Sequence, residues 1–229
     1  MIDNSLNKNI FRPSAVIFDM DGLMFDTENL TIPIWEPAGE LYGYKITRDI
    51  VMQLIGISNK RSREILQGIF GADFPYEKVH AEFRRLVTKK IEENGVPKKP
   101  GLDFLLNKLC AAKIPFGLAT SSSTATATKN LENAGVIEKF SAITCGDEVE
   151  NGKPAPDIFL LAAKKLGFPS SECVGLEDSP AGLRGLHSAG IKSIFIKDVI
   201  DPPNEVLDTV WRRCNDLSEV AALFGLDTH

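Results

Sequence analysis

Cysteine is scarce. Cys110, Cys145, Cys173 and Cys214 are the only four in 229 residues, and they are far apart, with no Cys-x-x-Cys step. That argues against a disulfide framework or a thiolate metal site, and the four read as buried or half-buried thiols. Histidine is scarcer, at three residues. His80 and His187 fall in helical patterns that suit packing or surface positions, and His229 is terminal. With no soft-ligand set, a zinc centre is not expected. No apolar run approaches the ~20 residues of a membrane span. The amino-terminal MIDNSLNKNIFRP lacks the apolar stretch of a secretory signal. Positive charge is also short: 26 Lys and Arg against 31 Asp and Glu leave a net charge of −5. A general nucleic-acid binder shows a basic face instead. There is no internal repeat. The expectation is a cytoplasmic enzyme acting on a small, even phosphorylated, ligand, with no nucleic acid, no membrane and no obligate protein partner.

What is present begins with AVIFDMDGLMFDTE, residues 15–28. The apolar run Ala15, Val16, Ile17 and Phe18 stops at Asp19, and Asp21 and Gly22 follow. A short apolar run closed by a turn signal reads as a buried strand. From about Asn29 the signals become helical. Thr47 and Ser58 are candidate N-caps. Pro33 and Pro37 should kink or delay the first helix there, and Trp35 between them suits packing. Tyr76 to Asn94 has Val79, Phe83, Leu86, Val87 and Ile91 on one face, with Gly95 as a stop. Beyond Pro97–Gly101 strands and helices alternate. Helices are expected around Leu102–Ala111, Thr126–Ala134 and Asp157–Leu166 and up to Gly190. Strands are expected at Ile114–Thr120, Ser141–Cys145, Glu172–Ser179 and Lys192–Lys197, with a closing helix at Leu217–Phe224. Such alternation argues for an α/β fold, a Rossmann-like doubly wound parallel sheet with helices on both faces. Residues 1–28 and 96–229 form the expected core, and 29–95 an inserted all-helical cap.

In a parallel sheet the strands' carboxyl ends share one edge, where α/β proteins bind ligands. That edge gathers Asp19, Thr120, Glu177 and Asp178. Carboxylates ~4 Å apart repel by on the order of 4 kcal/mol at an effective dielectric of about 20, so a cation is required. Mg²⁺, an oxygen-seeking ion that binds through one or two carboxylates plus a substrate phosphate, answers that need. Lys153, in GKPAPDIF, is a second cation on a proline-stiffened loop. Thr120 opens the hydroxyl run TSSSTATAT ahead of a helix, a place suited to phosphate oxygens.

The set Asp19–Met20–Asp21–Gly22, Thr120, Lys153 and Glu177–Asp178 resembles the four motifs of the haloacid dehalogenase-like (HAD) hydrolase superfamily. FDMDGLMFDTE, LATSS, GKPAPDIF and GLEDSPAG look like its β-phosphoglucomutase and phosphatase branch, in which a helical cap is inserted after the first motif. The resemblance implies a Mg²⁺-dependent phosphatase working through an aspartyl-phosphate. Asp19 is then the nucleophile and Asp21 the acid and base. Thr120 and Ser121 hold phosphate, with Lys153 neutralising charge. Asp19, Asp21, Glu177 and Asp178 hold the metal.

Two positions depart from the mutase pattern. Thr31 stands where the mutase has a cap histidine, and Asn59 follows Gly56–Ile57–Ser58 where it has an arginine; Lys60 and Arg61 come next as candidate substitutes. Both departures favour a phosphatase of sugar phosphates or nucleoside monophosphates over a phosphosugar mutase. LATSS and ALFGL also resemble pseudouridine-5′-phosphatase-type members. A dehalogenase does not need Asp21. A non-catalytic phosphometabolite-binding protein, the alternative from another class, has no use for all of Asp19, Asp21 and Lys153.

Overall fold

The computed structural model describes residues 11–55, 57, 59–199 and 201–226. Most of the polar lead-in, Gly56, the N-cap candidate Ser58, and His229 lie outside the described residues. In chain order the elements are β1 (Ala15–Phe18), α1 (Thr27–Thr31), α2 (Trp35–Glu40), α3 (Arg48–Val51), α4 (Asn59–Phe70), α5 (Tyr76–Asn94) and α6 (Leu102–Ala111). Then come β2 (Phe116–Ala119), α7 (Thr124–Asn133), β3 (Ala142–Thr144), α8 (Asp157–Leu166), β4 (Cys173–Glu177), α9 (Pro180–Ser188), β5 (Lys192–Ile196), α10 (Asn204–Leu207), β6 (Arg212–Cys214) and α11 (Leu217–Leu223). Two compact units result. One holds the described residues through Met24 and those from Lys98 onward, and the other is Phe25–Pro97.

The first unit is a six-stranded sheet in the order β3-β2-β1-β4-β5-β6, parallel at every pairing. β1 is the first strand in sequence and lies inside the sheet. The chain builds outward on one side through β2 and β3, then returns to build the other side through β4, β5 and β6. The crevice at the carboxyl end of β1, between β2 and β4, is therefore the topological switch point where such sheets hold ligands. All four residues of β1 are fully buried. A strand covered on both faces has no polar alternation, which is why AVIF is apolar throughout. Ala15 and Ile17 turn one way, into a cluster with Ile158, Phe159 and Ala162 of α8 and Leu186 of α9. Phe18 turns the other way, edge-on to Phe116 and Phe140.

Among its described residues the regular elements of the second unit are helices, around a core that includes Trp35, Ile46, Leu66, Phe74 and Val79. Its entry differs from one kinked helix. α1 ends at Thr31, a single 3-10 turn spans Ile32–Ile34 with Pro33 at its start, and α2 begins at Trp35 with Pro37 in its first turn. A proline has no N–H to give to the preceding turn, so each is accommodated at the start of a new segment. Trp35 is buried and stacks on Phe83 at 4.2 Å. Thr47 precedes α3 in extended conformation but makes no side-chain cap. β6 had no signal in the sequence. Its RRC is a three-residue edge strand whose arginines are exposed, and charged edges are what keep sheets from pairing onward.

Candidate active site

Asp19 stands directly after β1, 6% exposed, and its backbone N–H donates to the Leu176 carbonyl of β4 at 3.1 Å. The turn that follows needs Gly22, whose φ is 87°. That left-handed backbone suits glycine, and a Cβ there would also run into the Asp178 carboxylate. Asp21 lies in the same turn, and its Oδ2 accepts a hydrogen bond from Ser122 Oγ at 2.9 Å.

Thr120 follows β2 and is buried. Its Oγ1 accepts from the Ser122 N–H at 3.0 Å, while its own N–H donates to the Thr144 carbonyl. The hydroxyls after it divide the work. Ser121 is exposed. Ser122 engages Asp21, and Ser123 caps α7 by accepting from the Thr126 N–H. Ser122 is the contact that the sequence does not single out, because nothing in a run of three serines says which one faces back toward β1.

Lys153 comes from the loop ahead of α8, and its side chain is 6% exposed. Its ammonium lies 4.9 Å from the centroid of the Phe159 ring and donates to both Asp19 Oδ1 and Glu177 Oε1, the latter at 2.7 Å. Glu177 closes β4 and is fully buried. Its Oε2 accepts from the N–H groups of Asp178 and Ser179, each at 2.7 Å. α9 approaches this carboxylate so closely that a Cβ on Gly182 would fall on it. Ser179 caps α9 by accepting from the Gly182 N–H.

One oxygen each from Asp19, Glu177 and Asp178 lies within 4.8 Å of the others, a set able to hold a metal ion. The three differ in what they have left to give. Both oxygens of Glu177 are hydrogen-bonded. Asp178 Oδ1 is buried and finds no hydrogen-bond partner among the described residues. An ionised oxygen left so is costly unless a cation meets it.

The electrostatics agree. Burial pushes the Asp19 carboxyl up to about 8, with the Glu177 and Asp21 charges adding and Lys153 opposing. Asp178 is raised well above the ordinary range by burial, then by the charges of Glu177, Asp19 and Asp198. Burial works against the Lys153 charge, but Asp19 and Glu177 outweigh it and raise its pKa. The Lys153 ammonium alone does not match the carboxylates of Asp19, Glu177 and Asp178, which leaves negative charge to be neutralised. The donors are all hard oxygens, the set that fits Mg²⁺. The arrangement places the buried Asp19 carboxyl against the Lys153 ammonium, with a second acid, Asp21, held in the adjoining turn by Ser122.

Comparison with known proteins gives one consistent result. The family model for haloacid dehalogenase-like hydrolases matches residues 16–196. A protein named "Probable pseudouridine-5′-phosphatase" in Drosophila melanogaster is 35% identical over 202 residues, covering 84% of this chain and 85% of that one. The β-phosphoglucomutase of Bacillus subtilis (strain 168) is 33% identical over 213 residues, covering 89% and 91%. The crystal structure of CbbY from Rhodobacter sphaeroides in complex with phosphate superposes with a TM-score of 0.76 at 26% identity, covering 94% of this chain and 100% of that one. With the DxDG turn at the switch point and a helical unit inserted after it, the chain belongs to the haloacid dehalogenase-like hydrolases, in the branch of the β-phosphoglucomutases and phosphatases.

Proposed function

We propose that the chain is a Mg²⁺-dependent phosphatase that hydrolyses a small phosphorylated metabolite, a sugar phosphate or a nucleoside monophosphate, through an aspartyl-phosphate on Asp19. As a phosphoric monoester hydrolase it matches its family, in which relatives carry the names pseudouridine-5′-phosphatase and phosphorylated carbohydrates phosphatase. The observation that carries the mechanism is the buried Lys153 ammonium, held between Asp19 and Glu177 at the carboxyl edge of β1 and β4.

Lys153 balances the charge of Asp19 and of an incoming phosphoryl group without itself giving up a proton. An Asp19 carboxylate oxygen attacks phosphorus, and the bond from phosphorus to the leaving oxygen breaks. Asp21, oriented by Ser122, gives its proton to that leaving oxygen. A water then attacks the phosphorus of the aspartyl-phosphate, Asp21 takes the water's proton, and phosphate departs with Asp19 restored. Thr120 and Ser121, at the end of β2, are the residues proposed to hold phosphoryl oxygens. Asp19, Asp178 and the Asp21 backbone carbonyl would hold Mg²⁺, which when bound neutralises the carboxylates and the developing charge on phosphate. Glu177, with both oxygens engaged, is a positioning residue: it fixes Lys153 and the turn into α9.

Two features favour hydrolysis over mutase chemistry, which must grip a second phosphate. Thr31 donates its hydroxyl to the Glu28 carbonyl of its own helix at 3.2 Å. Asn59 opens α4, and Arg61 beyond it is exposed and pairs with Glu64 at 2.8 Å. At the entry to the helical unit, Asp26 Oδ1 accepts from the Asn29 side chain at 2.8 Å, a local structural bond. Among the described residues no helix is long and apolar enough to cross a membrane.

The test is release of phosphate from p-nitrophenyl phosphate with and without Mg²⁺, for the wild type and Asp19→Asn. Metal-dependent turnover that disappears in Asp19→Asn supports the reading. A wild type inactive across metals and pH, or activity unchanged in Asp19→Asn, overturns it.

A further inference from the structure

Asp198 lies just beyond β5, at the carboxyl edge of the sheet, and its side chain is 5% exposed. Its Oδ1 accepts from Lys99 Nζ at 2.6 Å, and Lys99 is itself only 15% exposed. The Lys99 backbone N–H donates to the Met24 carbonyl, which ties this lysine to the end of the segment that begins with the DxDG turn. The other oxygen, Asp198 Oδ2, is buried with no hydrogen-bond partner among the described residues, as is Asp178 Oδ1. The two carboxylates pack against the same glycine, Gly22. The point where a Gly22 Cβ would sit is 2.9 Å from Asp198 Oδ2 and closer still to Asp178 Oδ2. Yet Asp198 is outside the inner set, since the oxygens that gather within 4.8 Å of one another belong to Asp19, Glu177 and Asp178.

An ionised oxygen that is buried, unpartnered and one step removed from the ligand set needs a hydrogen-bond donor that is itself held by the cation. Mg²⁺ keeps several of its waters when it binds protein. Each such water turns its lone pair to the metal and presents O–H groups outward, so it requires acceptors. The geometry points to Asp198, fixed through its other oxygen by Lys99, as the acceptor for a metal-bound water, and so as a positioning residue for the ion that Asp178 ligates. This rests on the Mg²⁺ reading above. Lys99 offsets part of the charge that Asp198 brings to a site already rich in carboxylates. Removing an outer-sphere partner of this kind typically weakens metal binding about 10- to 100-fold.

The experiment reads metal binding and not turnover. Mn²⁺, added as the chloride, is titrated into the protein, and the free ion is followed by electron paramagnetic resonance. The variants are Asp198→Asn and the double replacement Lys99→Met with Asp198→Leu. The double variant removes the acceptor together with the ammonium that pairs with it, and an apolar pair of similar volume commonly preserves folding. The expected result is a Kd for Mn²⁺ raised about 10- to 100-fold in both, with far-ultraviolet circular dichroism and metal-free melting of the double variant near wild type. A Kd within about twofold of wild type in both variants would overturn the inference while leaving the metal site standing, at the scale such partners set. Failure of both variants to fold overturns it too, because the pair would then be structural. A wild type that binds no Mn²⁺ removes the metal reading itself.

Discussion

Glu177→Gln is the substitution that separates holding Lys153 from holding the metal. Glutamine has nearly the same shape, but its amide has one accepting oxygen where Glu177 uses two. Lys153 approaches Oε1, and the Asp178 and Ser179 N–H groups approach Oε2. Either the amide nitrogen confronts the ammonium, or it confronts the two backbone donors. Each charged hydrogen bond is worth about 1.5–3 kcal/mol and a broken buried ion pair costs about 3–5 kcal/mol. Two effects keep the loss below the sum. Lys153 still has Asp19, and removing the Glu177 charge relieves the crowding that raises Asp19 and Asp178. The net expectation is a loss of about 3 kcal/mol, seen as a Tm lower by roughly 6–12 °C. Because Asp19 and Asp178 remain, Mg²⁺ affinity should stay within about threefold by calorimetry, while kcat falls about 10- to 100-fold as the lysine loses its second anchor. A variant as stable as wild type but about 30-fold weaker for Mg²⁺ would refute this, and would make Glu177 a ligand of the kind that metal sites lose affinity without.

Two further predictions concern the same edge. The Asp19 carboxyl is raised from 3.8 to about 8 in the metal-free protein, so its contribution to stability is full below about pH 4 and is lost as the pH rises toward 8. Mg²⁺ binding should therefore release protons at neutral pH and tighten from about pH 6 to about pH 8; calorimetry in buffers of different ionisation enthalpy measures the release, and pH-independent affinity with no release contradicts it. Ser122→Ala removes the 2.9 Å bond to Asp21. Near-normal stability with kcat reduced about 5- to 10-fold is expected, about the worth of one hydrogen bond, and an unchanged kcat takes Ser122 out of the mechanism.

How legible each part was in the sequence follows from how local its cause is. α5, α6 and α8 have the bounds that apolar spacing and flanking glycine or proline indicate. Each writes a full amphipathic period into one segment. β1 was legible because a doubly covered strand must be apolar and must stop where the polar site begins. β6 was not, because three residues at a sheet edge bury too little to leave a pattern. The two prolines announced a break near Trp35, but only packing decides whether a proline bends a helix or starts a new one. That Asp19, Asp21, Lys153 and Asp178 would lie near one another could be read because they stand at strand ends or in a stiffened loop. Ser122 and the Lys99–Asp198 pair could not. Among three successive serines the facing one is set by the turn after β2, and Lys99 and Asp198 look like surface charges until the fold buries them together.

The central claim is that Asp19 takes the phosphoryl group before water does. It is tested most directly by the stereochemistry at phosphorus. Turnover of a phenyl phosphate made chiral with three oxygen isotopes, with transfer to an alcohol acceptor in place of water, reports whether one displacement or two have occurred. Two in-line displacements, the first by Asp19, predict net retention of configuration. Net inversion would mean that the acceptor attacks the substrate directly, and would contradict the assignment of Asp19 as nucleophile.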